Sequence, residues 1–179
     1  MTNLYTMNHT TDTIINRVAQ SNLITFNLED YYPHGERVVY DLRDNLFQEM
    51  ILRENDFRTF VKEHDWSQYQ DQYVALTCSV DAIVPTWAYM LLVTKLEPYA
   101  RRVVYGTPET LEAVLFQEAL ARVNPADFEG AKVVIKGCGN LPVPAFAYTE
   151  ITRLLRPYAA SIMYGEPCST VPLYKRLRK

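Results

Sequence analysis

The sequence predicts an α/β fold: a mostly parallel sheet flanked by helices, with an internally duplicated strand–helix–strand unit and a strand-rich N-terminal extension. Three observations predict it. From Tyr73 onward, short apolar runs rich in β-branched residues alternate with longer runs of helical period. Two 23-residue stretches, 84–106 and 143–165, repeat at a constant offset of 59. The composition is that of a globular chain, 48% hydrophobic and 22% charged over 179 residues, enough for one domain with a real core.

Taken in order, residues Thr11 to Gln20 predict a short helix with Ile14, Ile15 and Val18 on its apolar face. Leu23 to Leu28 and Arg37 to Leu42 predict two strands, separated by the turn-rich run DYYPHGE, which is expected to be a hairpin turn. Leu46 to Leu52 fits helix and strand equally. Asn55 is a candidate cap for a helix to about Glu63, with Phe57, Phe60 and Val61 inward. YVALTC is a buried-type strand, and VPTWAYMLLVTKLE a helix with Pro85 near its first position, where a missing N–H costs nothing. RRVVYG is a strand. Thr107 caps the next helix, with Pro108 at its first position and Leu111, Val114, Leu115 and Ala119 on one face. Pro125 prevents that helix from continuing. AKVVIKG is a strand, PAFAYTEITRLL a helix and YAASIMYG a strand. Alternation of this kind implies parallel neighbours joined by right-handed crossovers. One domain is expected over residues 1–179, with 1–12 and 176–179 as flexible ends.

The two repeated stretches share ten identical positions of 23, including Val84/Val143, Pro85/Pro144, Tyr89/Tyr148, Pro98/Pro157, Tyr99/Tyr158 and Gly106/Gly165. The identities fall at the helix start, the helix-to-strand turn and the strand end, where backbone geometry is most demanding. Each copy follows a strand that runs into a cysteine loop, and CSTVPLY at Cys168 reads as a weaker third echo. Two copies are too few for a solenoid. The expectation is a single sheet containing a duplicated βαβ unit.

A net charge of −3 gives no attraction to nucleic acid, and the basic end Lys175–Lys179 lacks the aromatic interleaving of a binding patch. No membrane span is expected: the longest uncharged apolar run, Ala82 to Thr94, is too short and contains Pro85. Residues 1–20 do not read as a signal peptide, so the expected location is the cytoplasm, where three cysteines stay reduced.

The chemistry-bearing residues are those cysteines. Cys78 and Cys138 end predicted strands, and Cys168 lies three residues past a third strand's final Gly165. In one parallel sheet all three would open on the carboxyl edge, where ligand sites collect and helix N-termini favour thiolate. Three converging thiolates could hold an iron–sulphur cluster or zinc, with Asp81 or Glu166 from the same loops as a further ligand. His64 is expected at the opposite edge, and His9 and His34 cannot be placed. Two alternatives stand beside the metal site. In one, the cysteines are small packing residues of a non-catalytic interaction protein. In the other, a single reactive thiol, foremost Cys138 between Gly137 and Gly139, carries sulphur-transfer chemistry. KGCGN lacks the dinucleotide-binding glycine spacing, and no Walker A, GxSxG or HExxH pattern occurs. LEDYYPHGE is a candidate binding loop, with Glu29 and Asp30 read as turn residues rather than an acid–base pair. Trp87 and Tyr89 are core candidates that would also wall a pocket after Cys78.

The runs NRVAQSNLITFNLEDYYP, FVKEHDWSQY, CSVDAIVPTWAYML, ETLEAVLFQEAL, VVIKGC and GEPCSTVPLYK resemble the bacterial family catalogued as domain of unknown function 2480. The resemblance covers about residues 13–175. It implies a role near iron–sulphur assembly, with protein partners there, or in sulphur handling. It transfers no functional residue to this chain.

Overall fold

Strand β3 (Tyr73–Thr77) is buried along its length except at Thr77, because it is the middle strand of a sheet covered on both faces. The computed structural model describes residues 23–137 and 139–177. The helix expected at 11–20 lies outside the described residues. Strands β2 (Arg37–Asp41) and β4 (Arg102–Tyr105) flank β3, both parallel to it. A second sheet has the order β1 (Leu23–Asn27), β5 (Lys132–Lys136), β6 (Ser161–Glu166) and β7 (Ser169–Lys175). Its first three strands are parallel, and β7 runs antiparallel to β6. The fold is therefore α/β and mostly parallel, and its strands are divided between two sheets rather than gathered in one.

Among the described residues four helices accompany them: α1 (Glu54–Glu63), α2 (Thr86–Leu96), α3 (Pro108–Leu120) and α4 (Ala145–Leu155). Thr107 caps α3 by accepting from the Thr110 amide at 3.3 Å, and Pro108 opens the helix. α2 and α4 begin identically, each directly after a Val-Pro pair whose proline carbonyl accepts the amide three residues on, at 2.9 Å in both.

Alternation along β3 sends Val74 and Leu76 to one side, where Phe57 and Val61 of α1 and Ala88, Leu92 and Leu96 of α2 cover them. Tyr73 and Ala75 go to the other side, with Val104, against Leu111 and Leu115 of α3. The next residue on α3, Phe116, turns with Leu120 to the second sheet. There they pack with Phe26, Val133, Ile135 and Ile162 and with Ala147, Ile151 and Leu155 of α4. Thus α3 lies between the sheets and serves both cores.

The offset of 59 holds for the 3-10 turns Trp66–Tyr69 and Pro125–Phe128, for β3 and β5, for the starts of β4 and β6, and for α2 and α4. The duplication also reaches further back. β1 ends in Asn27-Leu28-Glu29-Asp30 and β2 in Asp41-Leu42-Arg43-Asp44, and each run makes the same 3-10 turn. In each, the strand's last side chain accepts an amide two residues on, and the leucine is fully buried. One half comprises β2, α1, β3, α2 and β4. The other comprises β1, α3, β5, α4 and β6, so the first half is inserted between β1 and the rest of the second.

Two local expectations change with this topology. DYYPHGE is not a hairpin turn but a crossing from one sheet to the other, since β1 and β2 never pair. The Cys-Val-Pro echo after Cys168 does not start a helix; its residues form β7, with Pro172 tolerated on an edge strand beside a register shift. Among the described residues no helix is long and apolar enough to cross a membrane.

Candidate functional site

Each half builds a groove at the carboxyl end of its sheet, beside its last parallel strand. In the first half the groove holds about 640 Å³ and is lined by Leu76, Ala82, Val84, Thr86, Tyr89, Met90, Val93 and Tyr105. Tyr89 comes from the first turn of α2 and Tyr105 from the last residue of β4. Their rings meet edge to face, with centroids 4.9 Å apart and planes at 72°. The second half repeats this with Tyr148 and Tyr164, at 5.8 Å and 70°, in a groove of about 420 Å³ with Ile135, Thr149, Thr152 and Leu173. The tyrosine pairs correspond at the same offset of 59 as the elements that carry them.

Acidic side chains hold the loops behind both grooves. Asp41 accepts from the Ser79 amide at 3.0 Å and from the Arg43 amide at 3.0 Å. Partial burial pushes the Asp41 carboxyl up, but hydrogen bonds from Ser79 and Arg43 and the Arg43 charge outweigh it, so its pKa lies below the ordinary value. Glu29 does the corresponding work across the second sheet: it accepts from the Leu141 amide at 2.9 Å. A Cβ on Gly139 would lie 2.6 Å from a Glu29 oxygen, so the backbone approaches the carboxylate as only glycine allows. Asp30 accepts from the Asn27 side chain at 3.0 Å. Both acids are turn residues, as their sequence context suggests. Burial raises the Tyr89 phenol, with Cys78, Tyr105 and Asp41 adding to the shift, so Tyr89 stays protonated at neutral pH.

The cysteines fall into two groups. Cys78 is half-buried at the end of β3 in the three-stranded sheet, its Sγ 3.5 Å from the Val80 carbonyl. Cys168 is exposed in the turn between β6 and β7 of the other sheet. Cys138 follows β5 of that same sheet and lies outside the described residues. The premise that all three end strands of one sheet does not hold. At the offset that superposes the halves, Cys78 corresponds to Gly137 and Cys138 to Ser79, so the cysteines are not a repeated feature. Asp81 is exposed in the loop before α2. Glu166, at the end of β6, is paired with Lys136 at 3.5 Å. Among the described residues no three His, Cys, Asp or Glu side chains come together in a way that would hold a metal ion.

The remaining candidates have structural roles. His64 ends α1 and packs on Trp66, ring centroids 4.5 Å apart. Trp87 packs on Phe57, whereas Tyr89 walls the groove. The DYYPHGE crossing borders a cleft of about 520 Å³ between the halves. Around it Arg37 lies over Tyr32 and Tyr73 and binds Glu112 at 2.7 Å, Arg102 binds Glu118 at 2.9 Å, and Arg101 donates to the His34 carbonyl at 2.8 Å.

Tyr105, Tyr164 and Met90 were not legible as site residues, although the repeated Tyr-Gly at each strand end carried the signal. Several exposed apolar side chains of the first half lie at its carboxyl edge. Met50, Ile51 and Ile83 stand where the Ile83 amide bonds the Met50 carbonyl, and Met90 and Tyr105 line the groove. The family described as "Protein of unknown function (DUF2480)" matches residues 12–176. Comparison with curated proteins and with solved structures finds no match.

Proposed function

This chain belongs to the DUF2480 family, and on that premise we propose that it is a non-catalytic interaction protein that docks an extended polypeptide along β4. The supporting observation is the unequal covering of two equivalent grooves. In the second half the chain's own β7 pairs with β6, sets Val171 opposite Tyr164 and lays Leu173 against the groove. In the first half β4, the counterpart of β6, is an edge strand of its sheet among the described residues. Tyr105 is there 66% exposed, against 38% for Tyr164. An edge strand beside an apolar groove takes an added strand through main-chain hydrogen bonds and reads alternate side chains in the groove. The cytoplasm suits such a protein, since Cys78 and Cys168 persist there as free thiols.

The test uses a synthetic peptide copying residues 167–177, titrated into the full chain and followed by amide NMR. Shifts centred on Val103, Tyr105, Tyr89 and Met90, retained when all three cysteines are replaced by serine, are expected. Shifts absent from β4 contradict the proposal.

A second assignment has one observation in its favour. β5 and β6 pair in parallel, so the carboxyl end of β5, after which Cys138 follows in sequence, lies beside the carboxyl end of β6 that carries Glu166 and leads to Cys168. Iron–sulphur or zinc binding there, and sulphur transfer by Cys138, need no contribution from Cys78 or Asp81. Stoichiometric metal in protein purified without oxygen, lost on Cys138→Ser or Cys168→Ser, would move the assignment to that site and to partners in cluster assembly.

A further inference from the structure

We propose that the strand taken up by β4 is β4 of a second copy of this chain, giving a two-fold dimer with one continuous six-stranded sheet; this rests on reading the groove as a polypeptide-docking edge. The Gly106 amide bonds the Leu76 carbonyl at 3.0 Å, so by two-residue alternation Val104 also faces β3 and the N–H groups of Val103 and Tyr105 point outward. Two such edges, antiparallel about a two-fold axis at Val104, exchange bonds between Val103 and Tyr105 of opposite copies. Tyr105 then faces a valine, as Tyr164 faces Val171 across β6 and β7 within the chain. The second half thus supplies the template for the pairing.

The neighbouring helix is built for such contact. α2, TWAYMLLVTKL, has one charge and is apolar around most of its circumference, whereas α4, AFAYTEITRLL, carries Glu150 and Arg153. On the flank beside the outer strand α2 has Met90 and Val93 where α4 has Thr149 and Thr152. A helix apolar all round belongs in an interior. The flank lacks charge, so two copies meet there without like-charge repulsion. Arg102 begins β4 with Arg101 before it, each also held within its own chain, and Glu109 follows the strand, so antiparallel apposition sets the basic end of each copy toward the acidic end of the other.

Sedimentation velocity of the full chain across a concentration series tests this, with Met90→Glu and Tyr105→Glu as variants. Both residues are exposed in the single chain, so far-UV circular dichroism should be unchanged and the melting midpoint should fall only at concentrations where the parent chain is dimeric. The expected result is a dimer weakened more than about 100-fold by either variant, because each copy then carries an unpaired carboxylate into the apolar contact. A dimer that both variants leave intact overturns the proposal. A chain that stays monomeric, while the 167–177 peptide still shifts Tyr105, overturns the dimer and leaves the docking edge standing. A monomer that ignores the peptide removes both.

Discussion

At the residue scale, Asp41 shows how one carboxylate fixes a loop. Its oxygen takes the amide that opens the 3-10 turn after β2 and the amide of Ser79, which begins the loop after Cys78. Asn27 keeps only the first of these functions in the second half, and Glu29 supplies the long-range tie there. Asp41→Ala is expected to cost about 1 kcal/mol near neutral pH, the usual scale of a lost cap. The charge-dependent share has a definite sign. The folded carboxyl has a lowered pKa, so its stabilisation is present above the ordinary Asp value and is lost as pH falls through the folded pKa. Urea unfolding of both proteins should show the gap narrowing as the pH falls through and below the ordinary Asp range. A gap that widens with acid contradicts this role.

At the element scale, α3 decides whether the halves behave as one. Its consecutive residues Leu115 and Phe116 point to different cores, one on the three-stranded sheet and one on the four-stranded sheet. Such a helix cannot present a single apolar stripe, so its sequence reads as only weakly amphipathic. The sequence did suggest Leu111, Val114, Leu115 and Ala119 as the inward face, while Phe116 and Leu120 are both fully buried. Phe116→Ala is expected to cost about 3–5 kcal/mol, the scale for truncating a buried aromatic. Because α3 is shared, thermal unfolding monitored by far-UV and near-UV dichroism should remain one coincident transition at a lower midpoint. Two separated transitions would mean that the sheets are independent units.

At the scale of the whole molecule, the strands and helices were legible because each carries a local signal: Thr107-Pro108 starts α3, Val-Pro starts α2 and α4, and apolar runs mark β3 and β5. The sheet partners were not legible. β1 joins β5, more than a hundred residues on, and no local pattern says that the first half is inserted between β1 and α3. That same insertion puts Cys78 at the end of a different sheet from the one whose β6–β7 turn carries Cys168, which no spacing between cysteines reveals. β7 escaped for a related reason, since Pro172 and the preceding Cys-Ser-Thr resemble a turn until β6 provides a partner. The tyrosine pairs were visible as repeated residues but acquired meaning only when the grooves were compared, one covered by the chain's own strand and the other open.

Amide hydrogen exchange read strand by strand tests this inequality most directly. The outer amides of β4, Val103 and Tyr105, should exchange fast in dilute protein and become protected as concentration rises or as the 167–177 peptide is added, whereas β6 stays protected throughout because β7 already covers it. Val103 and Tyr105 amides that exchange fast at every concentration, with and without peptide, would contradict the assignment of β4 as a docking edge.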